Sequence, residues 1–376
     1  MNFCTLFLKT ENVHLMKDVG QIPYCLKEDF GYHAYIATYE NGEYPYLLNE
    51  VENLELQFVR KSRLGPIFDG IRYLYKNRKN IDVLNLYHLN LSSFFWIVFF
   101  NIVRKKNAIV YLKLDANHLE IDKMRQKSIK AWIKHIAIRN ADIVSAESNI
   151  IRDTLQQYCK SEILYIPNGY LMASESSEPP VKKENIILTV GRLGTYEKAT
   201  EVLVDAFIQS NIAPEWQLAL VGPMTDEFRV WLDNKFTEYP DLSKSILMPG
   251  SISDKKTLQG WYQKAKAFVL PSRYESFGIV LVEAMLNGCF VITSDTVLAA
   301  KDLIQNDAMG RIVKVDSQQQ LGQALHDIAQ MEIDWDANAK QIQNSMEDKF
   351  LWKNILQVLD CRIKDCMEGY ECKTQK

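Results

Sequence analysis

Two carboxylates, Glu275 and Glu283, stand with seven residues between them in PSRYESFGIVLVEAMLNG (271–288). The run AFVLP before them reads as a strand. Ser276–Phe277–Gly278 then opens a helix that stops near Asn287–Gly288. Gly278 permits close backbone approach, and the free N–H groups of a first helical turn form an anion site for which phosphate is the obvious ligand. Glu283 sits in the otherwise apolar IVLVEAML. Buried and unpaired it would cost on the order of several kcal/mol, so it needs a strong partner. A pair of ribose hydroxyls donating to both oxygens would satisfy it, as acidic residues do in dinucleotide folds. An ion pair with a neighbouring Arg or Lys is the alternative. Glu275, in the loop, is placed to orient sugar hydroxyls.

VGRLGTYEKAT (190–200) ends another strand. Arg192 and Lys198 flank its glycine-containing turn and together suit a diphosphate, Arg as a fork and Lys as a mobile point charge. The spacing of a P-loop is absent. Alone, such a pair reads as solvated surface; beside the two glutamates it gains weight.

These segments belong to a regular alternation of short apolar strands and helix-length stretches. Candidate strands in the first half are 4–8, 33–38, 54–59, 82–87, 108–114, 142–147 and 163–168; in the second half, 186–191, 217–222, 245–250, 267–271, 290–294 and 310–315. Strands without polar alternation indicate parallel sheets covered on both faces. Two such series predict two doubly wound domains, with ligands at the carboxyl ends of the strands around one cleft. Residues 170–185, with SESSEPPVKKEN, read as a linker. The tail from Phe350 has helical apolar spacing at Leu351, Ile355, Val358 and Leu359 and could pack on either domain.

The glutamate pair around SFG resembles the signature of retaining GT-B glycosyltransferases of family 4. VGRLGTYEK is similar to that family's diphosphate clamp, with one extra residue before the lysine. ADIVSAES (141–148) and YIPNG (165–169) match its pattern at the end of the first domain. The resemblance implies a GT-B fold, with residues 1–170 an acceptor-side domain to which helix 350–376 crosses back, and 171–349 a nucleotide-sugar domain. It implies that Arg192 and Lys198 bind the leaving diphosphate and Glu283 the ribose. Glu275 with the backbone of Ser276, Phe277 and Gly278 would hold the donor sugar and phosphate, and the base would pack near Gly250–Ile252. Two departures stand out. Where relatives carry a glycine-rich loop after the first strand, only Gly20 is near. Where many carry a catalytic-site histidine, this chain reads YLKLDANH (111–118), which makes Asp115 the first candidate and His118 the second; a loop Asp capping the next helix is the alternative for Asp115.

Breaking the anomeric C–O bond puts charge on the diphosphate, which preorganised cations and helix N–H groups stabilise without a metal. No DxD-like motif stands by the clamp, so neither metal nor cofactor is expected. Retention would fit front-face attack, the departing phosphate taking the acceptor's proton.

The 376 residues carry 44 Lys+Arg against 47 Asp+Glu, a net charge of −3, which excludes a global field for nucleic acid. At 47% hydrophobic and 24% charged the chain is globular. Seven scattered cysteines lack zinc spacing and read as reduced thiols. The N-terminus has no signal-peptide pattern and Phe94–Val103 is too short to span a bilayer, so a cytoplasmic protein is expected. Lys123, Lys127, Lys130 and Lys134 in KMRQKSIKAWIKHIAIR fall on one helical stripe beside an apolar set of Ile129, Trp132, Ile133 and Ile136. Such a helix either docks on the anionic inner face of the plasma membrane or packs on its own sheet with a solvated basic face. Docking would make the acceptor a lipid-linked saccharide of capsule, exopolysaccharide or O-antigen (lipopolysaccharide) synthesis. The expected function is sugar transfer from a nucleotide diphosphate sugar, UDP by default, to a saccharide. A nucleotide-sugar epimerase or hydrolase of the same fold, or a non-catalytic partner subunit, are the rivals.

Overall fold

Seven strands form the first sheet: β1 (Asn2–Leu6), β2 (His33–Thr38), β3 (Glu55–Phe58), β4 (Val83–Tyr87), β5 (Ile109–Leu114), β6 (Ile143–Ala146) and β7 (Leu164–Tyr165). All pair in parallel, in the order β3-β2-β1-β4-β5-β6-β7. The second sheet holds β8 (Glu184–Val190), β9 (Gln217–Val221), β10 (Ile246–Gly250), β11 (Ala265–Leu270), β12 (Phe290–Ser294) and β13 (Gly310–Val313). Its order is β10-β9-β8-β11-β12-β13, again all parallel. Each sheet reverses its winding once, between β1 and β4 and between β8 and β11, the points where ligands of open α/β sheets bind. This computed structural model describes residues 1–171 and 181–372. Residues 172–180 of the linker read from the sequence lie outside the described residues.

The chain divides into unit 1, Met1–Leu171 with Phe350–Lys376, and unit 2, Met172–Lys349. In unit 1 every residue of β4 and β5 is buried, as strands covered on both faces must be. One face packs Phe3, Tyr111 and Ile143 against the helix Trp352–Cys372, whose buried Trp352, Ile355, Leu356, Leu359 and Ile363 form one stripe. Val358, read from the sequence as part of the apolar stripe, is instead exposed. Tyr32 donates to Asp360 at 2.9 Å on the same helix. The outgoing and returning segments lie side by side: the Tyr170 amide donates to the Phe350 carbonyl at 2.8 Å, and the Trp352 amide to the Tyr170 carbonyl at 3.1 Å.

In unit 2, helices Thr200–Ser210 and Gln318–Ala329 share a core of Leu203, Phe207, Leu321 and Leu325 over Ile187, Leu218 and Phe290. The ends of β8, β9 and β10 converge through glycines. A Cβ on Gly222 would stand 1.9 Å from the Gly191 carbonyl oxygen, and the Gly222 amide donates to the Gly250 carbonyl at 2.9 Å. Cys4, Cys25, Cys159, Cys289, Cys361 and Cys366 are unbridged.

Candidate functional site

In unit 2, both chemistry-bearing loops leave the carboxyl ends of the strands at the reversal: 191–199 follows β8 and 271–278 follows β11. Lys198 Nζ meets Glu275 Oε2 at 2.5 Å. Arg192, with 66% of its side chain exposed, pairs with Glu197 at 2.6 Å. Burial favours a neutral Glu197, but a backbone amide and the Arg192 charge outweigh it and hold the carboxyl below its usual value. An exposed pair of this kind is worth about 0–1 kcal/mol, so Arg192 can exchange Glu197 for a more highly charged anion at little cost.

Gly278 caps the helix Ile279–Leu286 in the left-handed region (φ 80°), and no side chain caps that first turn. Apart from Leu281, whose amide donates to the Gly278 carbonyl at 2.8 Å, its first N–H groups are therefore left for an outside acceptor. Phe277 is buried, while Glu275 and Ser276 are half-buried at the loop surface. On the helix, Glu283 Oε2 accepts from the Tyr262 hydroxyl at 2.8 Å. Burial raises the Glu283 carboxyl, with the Tyr262 hydroxyl and the Lys255 charge opposing. Gly250 ends β10 and Ile252 follows it, at the same end of this sheet.

Three supporting side chains were not singled out from the sequence. Tyr262 supplies the hydroxyl donor to Glu283. Arg273 ties the two loops together: its guanidinium bonds the Tyr196 carbonyl at 2.8 Å, Glu201 at 2.6 Å and Asp316 at 2.8 Å, and its amide donates to the Glu197 carbonyl at 2.9 Å. Lys183, buried, donates to the carbonyls of Tyr262 (3.2 Å), Ala265 (2.9 Å) and Asn287 (2.7 Å), gripping the ends of the helices that carry Tyr262 and Glu283.

Asp115 and His118 lie in unit 1, after β5. Asp115 is at the carboxyl end of the strand with His88 Nδ1 3.9 Å away. It is not the cap of the next helix; Asn117 is, accepting from the Glu120 amide. His118 is the first residue of that helix, and no donor or acceptor reaches its buried Nδ1.

Two expectations are corrected. Gly20 is not in a ligand-approach loop: it is inside the helix Asp18–Phe30, where a Cβ would come within 2.3 Å of the Leu15 carbonyl, so its smallness serves helix packing. The four lysines do not form one helical stripe. Lys123 is on the helix His118–Arg125, Lys127 is in a turn, and Lys130 and Lys134 are on the helix Ile129–Arg139. Extended backbone at Gln126 and Ser128, with Ser128 Oγ capping the second helix, breaks the run. What remains is a groove of about 530 Å³ bounded by Arg125, Lys127, Ile129, Trp132, His135 and Tyr158.

Phe94–Val103 lies wholly within the helix Leu91–Val103, with Trp96, Ile97 and Phe100 buried. Among the described residues, no helix is long and apolar enough to cross a membrane, and no group of three or more His, Cys, Asp or Glu side chains is placed to hold a metal ion.

Residues 173–348 match the family model of the glycosyl transferases group 1. The mannosylfructose-phosphate synthase of Agrobacterium fabrum is 27% identical over 65% of this chain and 56% of its own length. The lipopolysaccharide core biosynthesis mannosyltransferase LpcC of Rhizobium leguminosarum is 29% identical over 39% of this chain and 44% of its own length. The chain thus spans about half the length of these curated relatives. The fold is similar across almost the whole chain to Anabaena HepE, solved in complex with UDP, with TM-score 0.75 and 16% identity over 97% of this chain and 99% of that one. The parallel two-sheet architecture is that of GT-B, and within it residues 173–348, nearly all of unit 2, carry the match to the glycosyl transferases group 1.

Proposed function

We propose that this protein is a retaining glycosyltransferase that moves a sugar from a nucleotide diphosphate sugar, UDP first among donors, to a saccharide acceptor in surface-polysaccharide synthesis. The observation that carries the reading is the loop pair of unit 2. Two cations in local ion pairs, an uncapped helix start and a half-buried carboxylate with a hydroxyl donor stand at one end of one sheet. A diphosphate would take Arg192 from Glu197 and Lys198 from Glu275. Glu275, released, would then accept from donor-sugar hydroxyls, and ribose hydroxyls would complete the shell around Glu283. Once the donor has drawn these cations to it, charge developing on the leaving diphosphate meets groups already in place. Retention follows from front-face attack, the departing phosphate taking the acceptor's proton. That HepE was solved with UDP and that LpcC acts in lipopolysaccharide core synthesis support the donor and the pathway class.

Thermal unfolding against UDP, GDP, dTDP, CDP and ADP tests this, with Glu283→Ala in parallel. A nucleotide at about 100 times its Kd stabilises by about 2.7 kcal/mol. One nucleotide shifting the wild type and not the variant is the expected result. No shift with any nucleotide would favour a non-catalytic partner, and free sugar released without acceptor a hydrolase.

A finer part of the reading concerns the acceptor. Ile129 (78% exposed) and Trp132 (62%) project beside Arg125, Lys127 and Lys130. The exposed Leu91, Phe95 and Ile102 lie on a helix joined to theirs by the Asn101–Asn140 hydrogen bond. Apolar side chains ringed by cations suit an anionic lipid surface, each cation adding about 1 kcal/mol, and an acceptor that is lipid-linked. Flotation with vesicles containing acidic lipid should carry the protein up. Flotation unchanged when Lys123, Lys127, Lys130 and Lys134 all become Glu would sink this part.

A further inference from the structure

The loop 191–199, which carries Arg192 and Lys198, has a root and a tip. The root is built into unit 2. The Gly191 amide donates to the Val221 carbonyl at 3.0 Å, the amide of the buried Leu193 to the Pro223 carbonyl at 2.8 Å, and the Thr225 amide to the Leu193 carbonyl at 3.1 Å. The tip is the turn Thr195–Lys198, closed by the Lys198 amide on the Thr195 carbonyl at 3.0 Å, with Tyr196 and Glu197 at its corner. Here the chain has one residue more than the clamp it resembles. Tyr196 is 70% exposed, so burial of its ring does not fix the tip.

A residue of another loop does. Arg273 takes the carbonyls of both corner residues: Nη1 donates to Tyr196 at 2.8 Å and the amide to Glu197 at 2.9 Å. Its guanidinium also lies over the Tyr196 ring, 4.5 Å from the centroid. The rest of the fork is anchored. Nη2 donates to Glu201, in the first turn of the helix Thr200–Ser210, at 2.6 Å, and Nε to Asp316, between β13 and the helix Gln318–Ala329, at 2.8 Å. The loops after β8, β11 and β13 thus meet on one side chain, of which 16% is in water.

Hydrogen bonds from an ionised donor are roughly twice as strong as neutral ones. A lysine could not replace this fork, because a point charge does not reach a carbonyl and two carboxylates while lying flat on a ring. Occupied by these partners, Arg273 braces the loop instead of joining its two cations. Arg192 lies before the tip and Lys198 closes it, so the turn sets their separation. An anion that bridges them is held well only if that separation is kept.

We propose that Arg273 is a positioning residue for the diphosphate: it takes up the extra residue of this loop and holds the turn so that Arg192 and Lys198 meet the two phosphates at one fixed spacing. The diphosphate part rests on the donor reading given under the proposed function; the brace itself does not.

The brace is tested without ligand. Arg273→Lys keeps the charge and loses the fork, while the backbone bond from position 273 to Glu197 survives. The amides of Lys198 and Ala199, which close the turn, should then exchange with solvent about 10-fold faster, and those of Gly191 and Leu193 at the root should stay unmoved. Turn amides unchanged, or root and turn accelerating together, would overturn the proposal. The spacing is tested by titration calorimetry with UDP and UMP, or with the same pair of whichever nucleoside stabilises the fold. Arg273→Lys should weaken the diphosphate about 10–100-fold and leave the monophosphate unmoved, whereas a merely structural loss would move both. Beside Lys198→Ala the same substitution should add far less, because one of the cations it positions is gone. Both nucleotides weakening equally, neither weakening, or a fully additive loss beside Lys198→Ala would overturn it. Turn amides that respond to Arg273→Lys in a protein that binds no nucleoside diphosphate would leave the brace standing and refute the donor reading.

Discussion

Lys198 of unit 2 and Lys113 of unit 1 both stand past the middle of a sheet, on the carboxyl side, and both face a carboxylate. Lys198 meets Glu275 in a pair each of whose members keeps about a fifth of its side chain in water. Lys113 meets Asp18 and Glu147 with none of its own side chain in water. The first pair can be exchanged for a ligand, because water helps it open. The second cannot be opened without leaving a bare charge in the interior. Unit 2 keeps its charges on loops that water reaches, while unit 1 locks Lys113 among buried side chains behind the half-exposed Asp115.

The sharpest way to break this comparison is to remove each ammonium. Lys113→Met should cost about 3–5 kcal/mol in chemical denaturation, because Asp18 is left buried and unpaired. Lys198→Met should cost less than that, because Glu275 keeps about a fifth of its side chain in water and can be solvated when its partner is removed. Equal losses would erase the distinction. Activity should sort the other way: Lys198→Ala and Arg192→Ala should each lower kcat by about 10²–10³-fold, roughly 2.7–4 kcal/mol, as for loss of a donor to a developing anion. Steady-state rates with the nucleotide sugar that passes the thermal panel check this. Next in size, Tyr262→Phe should cost about 1–3 kcal/mol, because Glu283 loses its hydroxyl donor; the same denaturation series checks it.

The smallest effect is on pH dependence. Glu147 and Glu283 both have raised carboxyl pKa values in the folded protein. The folded state therefore holds protons that the unfolded state has released, and their contribution to stability is full below the unfolded carboxylate range. It falls as pH climbs through the raised values, by about 1.4 kcal/mol for every pH unit that separates the folded pKa from the unfolded one. The urea midpoint of the wild type, relative to Glu147→Gln or to Glu283→Gln, should decline with rising pH. A flat difference would mean that the carboxyl concerned is not raised.

The strands were legible because the chain marks them strongly. HAYIAT and FVITS coincide with β2 and β12, and the other candidates overlap their strands with shifted ends. The donor loops were legible because glycine, arginine, lysine and two glutamates fall within two short segments that each follow a strand. The buried ion pairs of unit 1 were not, because Asp18, Lys113 and Glu147 lie in or after three different strands and each has an ordinary local reading. Glu147 in DIVSAES looks like the turn before a helix whose cap is Ser148. One signal was present: in IVYLKL, a strand that must be buried on both faces, a lysine has to find a carboxylate. The lysine stripe failed for the opposite reason. Periodicity ran on through Gln126–Ser128, but Ser128 was itself a start signal for a new helix.

The helix Trp352–Cys372 also orders events during synthesis. It fills the core of unit 1 against β1, β5 and β6, yet it is translated only after the 178 residues of unit 2. At about 5–20 residues per second, the face bearing Phe3, Tyr111 and Ile143 waits about 10–40 s for its cover. Unit 2, contiguous in sequence, can fold during that wait. The nascent half that emerges first is thus the half that finishes last, and the ribosome-bound chain presents an open apolar face to whatever chaperone or membrane lies nearby.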